Sequence, residues 1–72
     1  MNLDRIEVFS HEISSVGYDE NENILQIEFT DLCIYNYFEV PKNIYQHCIC
    51  SDSIEIFFQA HIENYYESDR IL

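Results

Sequence analysis

His47-Cys48-Ile49-Cys50 is the densest run of reactive side chains in this sequence, and Cys33 and His61 are available to complete a set. Zinc takes cysteine thiolates and histidine nitrogens, but structural zinc sites pair their ligands about two to four residues apart. A Cys-x-Cys beside one histidine lacks that pairing. Cysteine is also among the most commonly buried residue types, so thiols tucked under a helix end are the expectation. A nucleophilic cysteine needs a base and a group that orients the base. Cys33, Cys48 or Cys50 with His61 would supply the first. No nucleophile elbow or oxyanion loop supplies the rest. The chain is therefore expected to be no enzyme and to hold no catalytic residue, metal or cofactor.

Two further groups suit binding. Tyr35 and Tyr37 share one face of a strand pattern, where aromatic rings can stack nucleobases. Stacking without a basic rim gives little affinity, and aromatic residues also simply favour strands. Glu55, Gln59 and Glu63 fall on one i, i+4 line, with Asp52 before them and Glu67 beyond. Like charges at that spacing cost a helix roughly a few tenths of a kcal/mol per pair. No Lys or Arg on the same stretch offsets them. Ile56 lies off the apolar face, beside Glu55. An apolar residue among carboxylates suits a protein-binding patch. Asp52, Glu55, Ile56, Gln59, Glu63, Glu67, Tyr35 and Tyr37 are the candidate partner-binding residues.

The charge of the whole chain points the same way. Fourteen acidic residues oppose Arg5, Lys42 and Arg70, giving a formal net charge of −11 over 72 residues. The chain is nevertheless 47% hydrophobic and 15% aromatic, enough to build a core. Three cations cannot track a phosphate backbone or an anionic bilayer, so direct nucleic-acid and membrane binding are disfavoured. A basic protein surface fits better. Residues 1–72 make one domain, a size at which only about 60% of the unfolded surface is buried and stability is marginal. The odd cysteine count and the lack of an export pattern at Met1-Asn2-Leu3-Asp4-Arg5 suggest a reduced, cytoplasmic setting in a bacterium or a phage-infected host.

These residues must be positioned by a small α+β architecture. Leu3 to Phe9 reads as an N-terminal strand or an ordered arm. Ile13 to Tyr18 reads as a strand, and Asp19-Glu20-Asn21-Glu22-Asn23 as a polar turn. Ile24 to Phe29 alternates, with Leu25, Ile27 and Phe29 on one face and Gln26 and Glu28 on the other. After Thr30-Asp31, Cys33 to Val40 forms the next strand. Pro41 closes the strand region and fits the start of a helix. Lys42 to Ile49 is the first helix. Ser51 or Asp52 caps the second, with Glu55 completing a capping box after Asp52. Ile54, Phe57, Phe58, His61, Ile62 and Tyr65 supply its apolar stripe. The expectation is a three- to four-stranded antiparallel sheet followed by two helices packed on it. A free sheet edge or the Tyr35/Tyr37 face offers a way to pair two chains.

Ser14-Ser15-Val16-Gly17-Tyr18-Asp19, Leu25-Gln26-Ile27-Glu28-Phe29 and Ile34-Tyr35-Asn36-Tyr37-Phe38-Glu39-Val40-Pro41 resemble the KTSC domain. That family is named for a C-terminal module of some lysyl-tRNA synthetases and also occurs as free-standing small proteins of bacteria and phages. Its Tyr-x-Tyr is matched by Tyr35-Asn36-Tyr37 and its Val-Pro by Val40-Pro41. Phe57-Phe58 and His61-Ile62 resemble its aromatic pair and His-Ile. The resemblance covers about residues 10–71. It implies the same strand and helix order, no established enzymatic activity, and a suggested role in RNA binding. Basic positions of the family pattern are replaced here. Ser53-Ile54-Glu55-Ile56 stands for a Ser-Lys-Gly-Lys-like segment, and Glu63-Asn64-Tyr65-Tyr66-Glu67 for an Arg-x-Lys-Tyr-Pro-like one. The expected function is a protein-binding module that docks on a basic, nucleic-acid-binding protein. Its sharpest form is a phage or mobile-element inhibitor, an acidic nucleic-acid mimic of the anti-CRISPR kind. A KTSC-like RNA-binding accessory domain or a housekeeping module is the alternative.

Overall fold

The computed structural model describes residues 4–72. Alternating apolar residues fold the first half of the chain into a meander: β1 (Ile6–Glu7), β2 (Ile13–Asp19), β3 (Ile24–Phe29) and β4 (Ile34–Tyr37), each antiparallel to the last. Of the expected strand or arm at residues 3–9, Ile6–Glu7 form β1 and Asp4 and Arg5 lie against the sheet before it, while Leu3 lies outside the described residues. The turns follow from side-chain chemistry. Asp19 Oδ1 accepts from the backbone N–H of Asn21 (2.9 Å) and of Glu22 (3.3 Å), closing the β2–β3 hairpin. Asn23 then takes φ 57°, a left-handed value asparagine tolerates. Asp31 Oδ1 accepts from the Cys33 N–H at 3.1 Å in the next turn, where Leu32 sits exposed at φ 72°.

β4 stops at Tyr37, earlier than the expected end at Val40, because Glu39 turns into the left-handed region at φ 57°. The Val40 N–H instead bonds the Asn23 carbonyl at 2.9 Å, and Pro41 leads into α1 (Lys42–Cys50). α2 (Ile54–His61) follows. It is shorter than its apolar stripe suggested. The N–H groups of Ile62 and Glu63 both bond the Phe58 carbonyl at 2.9 Å, which ends the helix and leaves Ile62 as a fully buried plug. The remaining chain crosses back to form β5 (Ser68–Arg70), antiparallel to β4, so the sheet has five strands rather than three to four. The β4 edge is therefore covered and cannot pair two chains. The edges of the sheet are β1 and β5, and β5 carries Asp69 and Arg70, charges of the kind that discourage edge-to-edge pairing.

One face of the sheet packs on the helices through Ile13, Val16, Leu25, Ile27, Tyr37, Val40, Cys48, Ile54, Phe58 and Ile62. Phe58 of α2 meets Phe29 edge-on at 5.7 Å and Tyr37 at 5.5 Å. Tyr18 stacks on Tyr45 of α1 at 5.0 Å. The opposite face carries a covered polar row. Gln26 is only 1% exposed because the arm before β1 lies across it. Arg5 donates to Gln26 Oε1 and to Ser15 Oγ, Ser15 donates to Glu28, and Gln26 Nε2 donates to Asn36 Oδ1. Gly17 makes this approach possible: a Cβ there would sit 2.9 Å from Arg5 Cγ and 3.1 Å from the Asp4 carbonyl oxygen.

Candidate protein-binding surface

The acidic side of α2 is built jointly by the helix and the β1–β2 loop. Ser53 takes the N-cap position and its Oγ accepts from the Ile56 N–H at 3.3 Å. The expected Asp52 capping box is not formed. Asp52 instead stays exposed, and Glu55 is free to turn outward from the helix start. Its Oε1 accepts from Ser10 Oγ at 2.6 Å and from the Glu12 backbone N–H at 2.9 Å. These two bonds, the Ser10 hydroxyl first, hold the Glu55 carboxyl below its ordinary value. One turn on, Gln59 Nε2 donates to Glu12 Oε2 at 3.3 Å. Loop and helix thus form one surface carrying Glu12, Asp52, Glu55 and Gln59.

Two exposed apolar side chains belong to the elements of this surface. Ile56 is 66% exposed on α2, and Phe9 is fully exposed. Phe9 lines a small cleft of about 170 Å³ with Ser10, His11, Asp52, Ser53 and Glu55. Phe9 was not singled out by the sequence pattern. A lone Phe beyond a weak strand carries no periodic signal, and only the loop's attachment to Glu55 places it here.

Glu63 and Glu67 do not extend the α2 surface, because the helix ends before them. Glu63 lines a groove of about 470 Å³ with Phe29, Cys33, Tyr35, Phe58 and Arg70. Tyr37 reaches the same groove but is only 4% exposed and packs on Phe58, so it is a core residue rather than a partner-binding one. Burial, with Glu63 nearby, pushes its phenol up to about 12. Tyr35 is half-buried, stacked beside Tyr37 at 6.3 Å and edge-on to Phe29 at 5.7 Å. The Tyr-x-Tyr pair thus faces the helices and not open solvent. Glu67 lies in a different cleft, beside Phe38 and Glu39.

The cysteines are dispersed. Cys48 is fully buried in the core, where desolvation pushes its thiol up to about 11, whereas Cys33 is half-buried and Cys50 exposed. A thiol so raised is a poor nucleophile and a poor ligand at neutral pH. Among the described residues no three His, Cys, Asp or Glu side chains gather as a metal site, and no helix is long and apolar enough to cross a membrane.

Comparison with known proteins places this arrangement. The sequence matches the KTSC domain family model over residues 9–66. It is 33% identical over 52 residues to an uncharacterized protein of Stutzerimonas stutzeri, covering 72% of this chain and 73% of that one. It is 37% identical over 46 residues to a protein of Tsukamurella paurometabola, covering 64% and 69%. The crystal structure of a KTSC domain protein from Yersinia pestis superposes with a TM-score of 0.94 at 30% identity, covering 99% of this chain and all of that one. Sequence pattern and fold agree along nearly the whole length, and the chain belongs to the KTSC domain family.

Proposed function

We propose that this chain is a non-enzymatic protein-binding module that docks on a basic partner through the α2–loop surface. The observation that carries the proposal is the fixing of Glu55. Its carboxylate is held by Ser10 and the Glu12 N–H, on a surface that also exposes Phe9 and Ile56. A carboxylate held in place spends less side-chain entropy on binding than a free one. Apolar anchors beside it supply the desolvated contacts that dominate interface energetics. The net charge of −11 adds long-range attraction to a basic surface. In its narrowest form the partner is a nucleic-acid-binding protein whose phosphate channel this surface occupies, which would make the chain an inhibitor.

The test is size-exclusion and equilibrium titration against a panel of basic nucleic-acid enzymes, run beside mixed-sequence RNA at physiological salt. A stoichiometric complex with a basic protein is expected. The Glu55→Lys and Phe9→Ala variants are expected to weaken it at least about tenfold, as hot-spot substitutions do. Sub-micromolar RNA affinity with no protein complex would instead support the RNA-binding alternative and sink the docking proposal.

A further inference from the structure

A second cleft, of about 460 Å³, lies along the chain beyond α2 and is lined, among the described residues, by Phe38, Glu39, Tyr65, Tyr66 and Glu67. Three aromatic rings and two carboxylates make up its walls, with no Lys or Arg among them. The walls are fixed by backbone hydrogen bonds. The Phe38 N–H bonds the Glu67 carbonyl at 2.9 Å, and the Tyr65 N–H bonds the Ile62 carbonyl at 3.1 Å. The Val40 N–H bond to Asn23 anchors the chain just after Glu39.

The rings stand outside the aromatic pairs of the core, although Tyr66 is half-buried against it. Phe29, Tyr35, Tyr37 and Phe58 are paired with one another in the core. Among the described residues Phe38, Tyr65 and Tyr66 enter no ring–ring pair. Tyr65 is 71% exposed, so its ring is open to a guest.

This composition selects its guest by charge. A phosphate or nucleotide would face two carboxylates and no cation. A cation would meet ring faces, whose quadrupole attracts it, and carboxylates that can pair with it. A planar guanidinium satisfies both at once, stacking on a ring while its N–H fork engages a carboxylate. We propose that this cleft binds an arginine side chain presented by a basic partner protein. It takes from the preceding section only that the partner is basic. The cleft and the α2–loop surface share no residue, so each can fail alone.

The experiment is a titration of the 15N-labelled chain with N-acetyl-arginine methylamide, followed by amide chemical shifts. Saturable shifts confined to residues 38–40 and 65–68 are expected. The neutral, isosteric citrulline analogue is expected to leave those amides unmoved, and the lysine analogue to bind more weakly. Tyr65→Ala and Glu67→Gln, both at exposed positions, are each expected to weaken binding about threefold to tenfold, with the rest of the spectrum unchanged. Equal shifts from citrulline, a preference for lysine, or shifts scattered over all acidic residues would overturn the assignment. Loss of docking in Glu55→Lys with this titration intact would separate the two surfaces.

Discussion

Single side chains in this fold are placed by burial as much as by pattern. Cys48 and Tyr37 show it most clearly. In the sequence Cys48 belongs to a run of possible ligands and Tyr37 to a possible stacking pair. In the structure both are core residues, and desolvation raises both, Cys48 to about 11 and Tyr37 to about 12. Their ordinary values are 9.0 and 10.0, so between those values and the raised ones the unfolded chain releases protons that the folded chain keeps. Stability from these groups is complete below pH 9 and falls as pH rises through about 11 and then about 12. Urea midpoints measured by circular dichroism should therefore drop steadily from pH 9 upward. In Cys48→Ala the midpoint at pH 7 should be lower, because a cavity is left, but the decline between pH 9 and 11 should be shallower. An equal slope in the variant would mean the thiol does not titrate with unfolding. Glu55 shows the converse case. Its type and its place on a helix face were legible, but its partners, Ser10 and Glu12, lie more than forty residues away in the chain, and no local rule could supply them.

At the scale of elements, periodicity identified β2, β3, α1 and α2 with small errors at their ends. The errors have physical causes. Ser51 or Asp52 is the cap expected from the sequence, with Glu55 completing a capping box after Asp52. The structure chose Ser53, which frees Glu55 for the loop. Ser53→Ala should cost about 1 kcal/mol of stability, and Asp52→Ala close to nothing. For a chain of this size that is a fall of roughly 4–8 °C in Tm for the first variant alone. Equal effects in a thermal melt would return the cap to Asp52. α2 ends early although Tyr65 continues its stripe, because the double bond to the Phe58 carbonyl closes the helix and turns the chain toward β4. β5 had no sequence signal at all. Ser68-Asp69-Arg70 is polar and short, and it is a strand only because β4 offers it an unpaired edge.

Across the whole molecule the balance of charge is unrelieved by local pairing. Among the described residues the ion pair is Lys42 with Glu20 at 2.7 Å, and it is exposed. A surface pair of that kind contributes little. Repulsion among the remaining carboxylates should then oppose folding and weaken as salt screens it. Going from 0.01 M to 0.15 M salt shortens the Debye length from about 30 Å to about 8 Å. The Tm should rise over that range, and the same salt should slow association with a basic partner. A Tm indifferent to salt would show that the charges are too far apart to interact. The same repulsion bears on self-association, since two copies of a chain at −11 must approach against it.

The sequence by itself determined the family, the α+β class, the main strands and helices, and the sign of the surface. The class, the elements and the sign of the surface rest on composition and on periods of two and 3.6 residues, and the family on short motifs such as Tyr35-Asn36-Tyr37 and Val40-Pro41, all of them local. Tertiary structure alone decided the rest. It attached the β1–β2 loop to α2 and so gathered Phe9 and Glu55 on one surface. It turned the Tyr-x-Tyr pair inward, moved Glu63 and Glu67 off the helix into two separate clefts, and covered the β4 edge with β5. Each of these depends on which distant backbone group or hydroxyl meets an unsatisfied partner, and only the closed fold brings those groups together.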